Sequence, residues 1–358
     1  MRIALFCPIG KGGMVHYAFQ LSESLSKEFD VSLFVPDECS GTESSSRVDV
    51  IGFGISGPVS LLRSPFSLKR LIDTVERIEP DVVHVTSSHW LSLVLCLFLR
   101  LKSYPLVVTL HDVKVHTGEN GLTNRLVNRL YAGCGDHVIV HGEKLKKELI
   151  ERGVKGSKIS IASLGPSSVF TKFSNPGVQE ENVILFFGRI EKYKGLEYLL
   201  EAKRILFEKG LNPKLVIAGR GDISRYSLDA NSIGDVEILN RFIEDSEVAE
   251  VFLRSQIVVL PYSEASQSGV VPIAFSFRKA VIVTDVGSLT EIVEDGVNGL
   301  VVPPKNASLL SKAIERLLSD DTLRKRLGEM GYKRITEDDL WTRNSEILRS
   351  VYETISPR

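Results

Sequence analysis

The sequence predicts an α/β protein made of two doubly wound domains, each with a parallel sheet. Short, nearly continuous apolar segments recur along the chain, which is typical of parallel strands covered by helices on both faces. Segments with helical periodicity alternate with them, and this alternation favours βαβ units. The chain has 358 residues, about twice the length of a typical domain, so each half could bury a core of its own.

The first half shows this alternation of strand and helix from its first residues. The segment "RIALFC" predicts a strand, "PIGKGGM" a glycine-rich loop, and the spacing of Met14, Ala18, Leu21 and Leu25 a helix. The segments "VSLFV", "DVVHV", "LVVTL" and "HVIVH" predict further strands. The run "WLSLVLCLFLRL" reaches Arg100 well before the roughly 20 apolar residues that span a bilayer, so it is interpreted as a buried helix.

The alternation stops between Leu164 and Asn182, in a segment rich in Pro, Gly and Ser that predicts a domain boundary. It resumes with the strands "VILFFG", "KLVIAG", "VEIL", "IVVLP", "AVIVT" and "GLVV". We therefore expect an N-terminal domain over residues 1–166 and a C-terminal domain over 180–340, with a helix at 341–358 packed back on the first domain. Ligands of such sheets bind beyond the carboxyl ends of the strands, so the cleft between the domains is the expected active site.

Charge and cysteine content argue against several classes of protein. The net charge is −1, from 44 basic and 45 acidic residues, whereas a nucleic-acid binder needs a clustered basic excess. The four cysteines, Cys7, Cys39, Cys96 and Cys134, are scattered and indicate neither a disulfide framework nor a zinc site. They fit a reducing compartment, so a cytoplasmic location is expected.

Two cations follow the first predicted strand of the second domain. The segment "FFGRIEKYKGLEYLLEA" ends this strand at Gly188 and places Arg189 and Lys194 in the loop before the next helix. A guanidinium fork and an ammonium group at this point would suit a diphosphate. The alternative is a pair of solvated surface cations, which is usual for basic residues.

A single acid, Glu264, lies in the otherwise uncharged loop of "LPYSEASQSGVVPIAF". Ser268, Gly269 and Val270 open the predicted helix that follows, and their free backbone N–H groups would form an anion site beside the carboxylate. A carboxylate that accepts from hydroxyl groups, next to a phosphate site, suits a sugar phosphate. The alternative is a capping or merely exposed acid.

The glycine-rich loop after the first strand offers Gly12 and Gly13 at the start of a helix, where backbone N–H groups attract phosphate. It does not match the dinucleotide-binding fingerprint, because Val15 stands at the last glycine position. A plain tight turn is the alternative.

Taken in order, these segments carry a family resemblance. The segments "FFGRIEKYKGLEYLLEA" and "VLPYSEASQSGVVPIAFSFRKAVIVTDVGSLTEIVEDGVNGLVVPP", with "GGMVHYAFQLSESL" and "TLHD" in the first half, resemble the retaining glycosyltransferases of family 4. The resemblance extends over almost the whole chain. It implies a GT-B fold, in which two Rossmann-like domains face a cleft, with a nucleotide-sugar donor on the C-terminal domain and the acceptor mainly on the N-terminal domain. It implies no metal and no cofactor.

The resemblance also implies roles for residues of the first half. Gly13 would approach the donor phosphates, and His111 of "LHD" would lie near the transferred sugar. A neutral imidazole at His111 would contact the sugar or help to position the acceptor, and a satisfied buried histidine is the alternative. The other histidines, His84 and His141 among them, show no comparable reason for a functional role.

In the second half, Glu264 matches the first acid of the family's paired-glutamate motif. Pro272 stands at the position of the second acid, which in the family commonly binds the ribose hydroxyls. Ribose recognition, and with it the preferred nucleotide, is therefore in doubt. Glu291 is the nearest acid able to substitute, and a plain acid at a helix N-terminus is the alternative.

The expected activity is that of a metal-independent, hexosyltransferase-like enzyme of polysaccharide biosynthesis. It would move a sugar from a nucleotide-diphosphate sugar to a hydroxyl of a glycan or lipid-linked acceptor. No D-x-D acid pair is found, and Arg189 and Lys194 would take the place of a metal. A nucleotide-sugar epimerase and a non-catalytic sugar-nucleotide-binding protein are the alternatives. A lipid-linked acceptor would be reached by peripheral contact with the inner face of the membrane.

Overall fold

The computed structural model describes residues 1–40, 46–54, 65–112, 121–226, 230–336 and 339–356. These residues form two compact units. Unit 1 holds the described residues up to Leu164 together with those from Trp341 onward, and unit 2 runs from Gly165 to Leu340.

The described strands of unit 1 are β1 Arg2–Phe6, β2 Asp30–Pro36, β3 Val48–Phe53, β4 Val82–Val85, β5 Leu106–Leu110, β6 His137–Val140 and β7 Ile159–Ile161. They form one parallel sheet in the order β3-β2-β1-β4-β5-β6-β7. Successive strands are therefore added on one side of β1 up to β3 and on its other side from β4 onward, so the strand order reverses between β1 and β4. In doubly wound sheets the crevice at such a switch point, at the carboxyl ends of the strands, is where ligands bind.

The described helices of unit 1 are Gly13–Leu25, Pro65–Ile78, Trp90–Leu101, Gly121–Cys134, Glu143–Glu151 and Leu340–Ile355. The first residue of the last helix, Leu340, is assigned to unit 2, and the rest of the helix belongs to unit 1. The last helix packs on the sheet of this unit, where Tyr352 is fully buried and its hydroxyl lies 2.6 Å from Nδ1 of His84 on β4. Its apolar residues belong to the same core as Ile3 and Leu5 of β1.

The strands of unit 2 are β8 Val183–Phe187, β9 Lys214–Ala218, β10 Val236–Leu239, β11 Ile257–Leu260, β12 Ala280–Thr284 and β13 Leu300–Val302. They form a parallel sheet in the order β10-β9-β8-β11-β12-β13, with its switch point between β8 and β11. The described helices of this unit are Ser168–Thr171, Leu196–Glu208, Ala230–Ile233, Asp245–Arg254, Val270–Ser276, Leu289–Ile292, Ala307–Ser319 and Asp321–Thr336. Short 3-10 turns lie at Asp37–Cys39 and Gly156–Lys158 in unit 1, and at Lys192–Lys194 and Ile223–Arg225 in unit 2.

The helix Trp90–Leu101 corrects one expectation from the sequence. It buries Leu91, Leu95 and Leu99, but Leu97, Phe98 and Leu101 are 51%, 41% and 84% exposed. The helix is therefore buried on one face only. Across the described parts of the chain, no helix has the length and apolar character needed to cross a membrane.

The four cysteines are buried and free. Within the same described ranges, no group of three or more His, Cys, Asp or Glu side chains is arranged so that it could hold a metal ion.

Candidate functional site

The switch point of unit 2 brings together most of the predicted donor-site residues. Gly188, Arg189 and Lys194 follow β8, whereas the loop with Glu264 follows β11, the neighbouring strand. Because the strands are parallel, both loops leave the sheet at the same edge. The sequence predictions for this unit therefore converge on one place, although they come from segments far apart in the chain.

Arg189 and Lys194, the two cations predicted to bind the donor, each contact a tyrosine. Nη2 of Arg189 donates to the hydroxyl of Tyr193 at 3.1 Å. Nζ of Lys194 lies 3.8 Å from the centre of the Tyr262 ring and 5.2 Å from that of Tyr193. An ammonium group over an aromatic face is attracted by the ring quadrupole, so these contacts limit where the two charges can go. Both tyrosine side chains are buried, with Tyr193 4% and Tyr262 1% exposed.

The β8 and β11 loops are also joined through their backbones. The carbonyl of Tyr193, in the 3-10 turn Lys192–Lys194, accepts from the backbone N–H groups of Ser263 and Glu264 at 2.8 and 3.4 Å. Gly195 follows the turn with φ +68°, and a Cβ there would lie 2.0 Å from the carbonyl oxygen of Pro261. The position of the cations is thereby tied to the position of the Glu264 backbone.

Gly188 forms a second close approach at this edge. Its φ is +117°, and its carbonyl oxygen lies 1.9 Å from where a Cβ of Gly219 would be, at the end of β9. On its other side, a Cβ on Gly188 would be 3.9 Å from a methyl group of Val270. The ends of β8 and β9 thus meet backbone to backbone, with the Val270 side chain in the first turn of the helix after β11 close by.

The start of the helix Val270–Ser276 differs in one respect from the prediction. The backbone N–H of Val270 donates to Oγ of Ser268 at 3.2 Å, so it is not free to bind an anion as expected. Ser268 is buried, and Gly269 is exposed with no atom within 4 Å of a Cβ position. Among the three, Gly269 offers the most open approach to the backbone.

The two predicted acids of this unit have different surroundings. Glu264 is exposed in the loop after β11. Glu291 is half-buried in the short helix Leu289–Ile292, after β12. The two loops touch, because the backbone N–H of Ser288 donates to the carbonyl of Ser266 at 3.0 Å. Pro272 is buried within its helix and has no polar side chain to offer a ribose.

In unit 1, Gly12 and Gly13 lie at the carboxyl end of β1, at the switch point of that sheet. Gly12 has φ +80°, which favours glycine, and it provides no capping side chain for the helix Gly13–Leu25. No atom lies within 4 Å of a Cβ position on either residue. The first turn of this helix is therefore open to close approach by a ligand.

His111, at the carboxyl end of β5, is fully engaged inside unit 1. Its Nε2 lies 2.8 Å from the carbonyl oxygen of Thr86, and its Nδ1 lies 2.9 Å from Nε2 of His141. The ring of Tyr17 packs edge-to-face against both histidines. Its centre lies 5.2 Å from that of the His111 ring and 5.3 Å from that of the His141 ring, with steep angles between the ring planes. Neither ring nitrogen of His111 is left over for a sugar hydroxyl while these contacts hold.

Sequence reasoning missed three residues of these sites: Tyr193, Tyr262 and His141. A signal was present for His141, because the segments "LVVTLH" and "HVIVH" are two apolar strands that each end in histidine. Such strands, when adjacent and parallel as β5 and β6 are, bring their last side chains together. For the two tyrosines no comparable signal exists in the sequence.

Comparison with known proteins identifies two family models along the chain. The model of the group 1 glycosyl transferases matches residues 169–334, and that of glycosyltransferase family 4 matches residues 11–165. Among similar proteins, the alpha-D-kanosaminyltransferase of Streptomyces kanamyceticus is 32% identical over 158 residues, which are 43% of this chain and 40% of that protein. This match thus spans less than half of that relative. The phosphatidyl-myo-inositol mannosyltransferase of Mycolicibacterium smegmatis is 23% identical and covers 99% of this chain and 94% of its own length.

Similar folds occur among solved structures. A sucrose-phosphate synthase from Thermosynechococcus elongatus superimposes with a TM-score of 0.77 and 20% identity, covering 99% of both chains. The Anabaena protein HepE in complex with UDP-glucose superimposes with a TM-score of 0.73 and 18% identity, covering 98% of this chain and 100% of that one. At these identities the likeness concerns the fold, and the fold is GT-B.

Proposed function

Because the chain belongs to the family 4 glycosyltransferases, we propose that it moves a sugar from a nucleotide-diphosphate sugar to a hydroxyl group of an acceptor, with retention of configuration. The observation that carries this proposal is the convergence at the switch point of unit 2. The loop after β8 carries two cations that contact tyrosines, and the loop after the neighbouring strand β11 carries an exposed carboxylate.

In the proposed reaction, negative charge develops on the departing nucleotide diphosphate. Arg189 and Lys194 would stabilise that charge, and groups already fixed in place do so without a cost of reorganisation. Glu264 would accept hydrogen bonds from hydroxyls of the donor sugar. Within unit 2, the exposed backbone at Gly269 would offer a further approach for phosphate oxygens. Within unit 1, the open helix start at Gly13 would separately be accessible to phosphate.

This assignment needs no metal at the diphosphate, since the two cationic side chains would supply the positive charge. HepE was solved with UDP-glucose bound, which supports a nucleotide sugar as the donor of this chain too. A thermal-shift panel of nucleoside diphosphates and their sugars would identify the base and the sugar. A ligand at about 100 times its dissociation constant adds roughly 2.7 kcal/mol of stability, which such a panel detects readily.

Activity itself is tested by incubating the best-stabilising nucleotide sugar with and without candidate acceptors. Release of nucleoside diphosphate that depends on the acceptor supports a transferase. A changed sugar in the absence of acceptor would identify an epimerase instead, and binding without turnover on any acceptor would identify a non-catalytic sugar-nucleotide-binding protein.

Replacing either cation should weaken the donor site. Arg189→Ala and Lys194→Ala are each expected to lower donor affinity or turnover at least tenfold, because a hydrogen bond to a charged group contributes about 1.5–3 kcal/mol. Lys192→Ala is the matched control, since Lys192 is an exposed cation of the same 3-10 turn, and it should have little effect. Unchanged kinetics in both variants would remove this assignment.

Turnover of the unaltered chain should persist in excess chelator, because the two cationic side chains supply the positive charge at the diphosphate. Activity that is lost in chelator and restored by magnesium would also remove the assignment.

For the acceptor, we propose a glycan or a lipid-linked sugar. The name of the M. smegmatis relative, a phosphatidyl-myo-inositol mannosyltransferase, supports the lipid-linked class. Leu97, Phe98 and Leu101 are exposed on one helix of unit 1 and would suit peripheral contact with a membrane. Arg100 and Lys102 lie beside them, where they form ion pairs with Asp136 and Glu76. Apolar side chains with flanking cations are typical of segments that lie at a membrane interface.

Vesicle flotation at low salt tests this contact. We expect the chain to float with anionic vesicles, and Leu101→Glu to reduce the floating fraction because it places a charge at the most exposed apolar position. Leu211→Glu, at an exposed leucine of unit 2, is the control and should float as before. If the unaltered chain ignores anionic vesicles, a soluble glycan becomes the better acceptor.

A further inference from the structure

The hydrogen-bond geometry of His111 and His141 requires more protons than two neutral imidazoles carry. Three short contacts lie in a row: 2.8 Å from Nε2 of His111 to the carbonyl oxygen of Thr86, 2.9 Å between the two rings, and 2.7 Å from Nδ1 of His141 to the carbonyl oxygen of Ala162. The carbonyl oxygens only accept, so each ring must keep an N–H on its outer nitrogen. That uses both protons of a neutral pair.

Without another proton, the two inner nitrogens would point lone pairs at each other across the 2.9 Å contact. Moving one proton inward does not help, because an outer nitrogen would then point its lone pair at a carbonyl oxygen. The neutral pair is thus one hydrogen bond short in either tautomer. A third proton satisfies all three contacts and gives the pair a single positive charge.

The surroundings of the pair include influences that lower the pKa of the two rings and others that raise it. Burial lowers the pKa of both rings, because desolvation penalises a charge. For His141, burial acts together with repulsion from a charged His111, and the pKa falls to about 3, which opposes a second charge on the pair. The Asp112 carboxylate, next along the chain from His111, raises the pKa of both rings. Tyr17, on the helix packed against the pair, is buried, and burial raises its pKa, so it stays neutral.

Among the residues that the structure describes, His84 on β4 is a further titratable neighbour of the pair, and it provides an internal comparison. It is 0% exposed, against 4% for His111 and 3% for His141, and burial lowers its pKa to about 3. Its ring nitrogens lie 2.6 Å from the hydroxyl of Tyr352 and 2.7 Å from that of Thr109. A hydroxyl can donate or accept, so a neutral His84 satisfies both contacts. Geometry therefore requires no extra proton on this equally buried histidine.

We propose that His111 and His141 hold one proton in common beyond those of the neutral rings, and that His141 is a positioning residue that fixes the ring of His111 through it. Both ring nitrogens of His111 are then occupied, so the ring serves as a fixed, buried cationic group and not as a general base. The sequence had favoured a neutral imidazole in contact with the sugar.

The proton also links the pair to pH. In the unfolded chain both rings become charged below about pH 6.5, whereas the folded pair takes up only one extra proton, because burial lowers the pKa of His141. The fold is therefore destabilised as the pH falls below about 6.5, and the shared proton itself is lost as the pH rises through the pair's own pKa. Loss of the proton breaks one of the three hydrogen bonds and frees the ring of His111 to turn.

Nitrogen NMR of the ¹⁵N-histidine-labelled chain tests the proton directly, without any substrate. At pH 6 to 7 we expect the two rings to show an imidazolium-like pattern that they share, while His84 remains a neutral tautomer. In His141→Gln, the side-chain amide can donate to Nδ1 of His111 without a charge, so His111 should become neutral and stay so on titration. Neutral shifts for both His111 and His141 across pH 6 to 7 would overturn the proposal.

The consequence for turnover rests on the proposed function. Turnover of the unaltered chain should fall at the alkaline pH at which NMR shows the pair losing its proton, and the profile of His141→Gln should lack that step. Identical pH profiles for the two proteins would overturn the positioning role. If the unaltered chain shows no transferase activity at all, the proposed function fails while the NMR result still decides the question of the proton.

Discussion

Glu264→Gln is expected to lower turnover on the order of a hundredfold, near 2.7 kcal/mol of transition-state stabilisation, and to leave the melting temperature unchanged or slightly raised. The carboxylate is exposed in the loop after β11, and the charge of an exposed side chain contributes about 0–1 kcal/mol to folding at most, so its loss should cost the fold little. In the proposed site it accepts hydrogen bonds from two sugar hydroxyls. Glutamine keeps the shape, but one of its two terminal atoms donates, so one of these hydrogen bonds is lost.

The affinities of Glu264→Gln for two ligands distinguish a role of Glu264 in sugar binding from a structural or ribose-binding role. Affinity for the bare nucleoside diphosphate should barely change, because that ligand has no sugar to hold, whereas affinity for the nucleotide sugar should fall. Glu250→Gln, at an exposed glutamate of the helix Asp245–Arg254 in the same unit, is the matched control. An unfolded Glu264→Gln protein, or equal weakening of both ligands, would show that the residue is structural or binds ribose.

The fold was predictable from sequence wherever strands are buried on both faces. Strands such as β5 and β12 are fully buried and appear in the sequence as nearly continuous apolar runs, each with a single threonine. The two strands that sequence reasoning missed, β3 and β7, lie at the two edges of the sheet of unit 1. Their residues are only partly buried, so "VDVIGF" and "ISI" lack the continuous apolar pattern. An edge strand covered on fewer sides needs fewer apolar residues.

The candidate site was predictable only as far as strand ends reveal it. Arg189, Lys194 and Glu264 follow apolar strands, so their place at the sheet edge could be inferred before the structure. The tyrosines that contact the two cations could not be predicted, because Tyr193 and Tyr262 belong to separate loops that meet only when β8 and β11 pair. Sequence pattern also could not show that Ser268 occupies the N–H of Val270, since that depends on side-chain orientation.

The contact between the β8 and β11 loops leads to the second large effect. Gly195→Ala is expected to destabilise unit 2 by roughly 2–4 kcal/mol, from two sources. A left-handed backbone at φ +68° is costly for any residue with a Cβ, and this Cβ would lie 2.0 Å from the carbonyl oxygen of Pro261. The backbone of Pro261 cannot yield as a flexible side chain would, so the turn Lys192–Lys194 and the β11 loop must move apart.

Gly210→Ala separates these two sources. Gly210 also has a left-handed backbone, at φ +81°, but no atom lies within 4 Å of its Cβ position. This variant should therefore show only the backbone cost, about 1–2 kcal/mol in chemical denaturation, with donor affinity unchanged. Gly195→Ala should be clearly less stable than Gly210→Ala and should also bind the nucleotide sugar more weakly, because the same displacement moves Lys194 off the Tyr262 ring. Equal stability of the two variants would mean that the loops separate at no cost, and unchanged donor affinity in Gly195→Ala would mean that their contact does not position the cations.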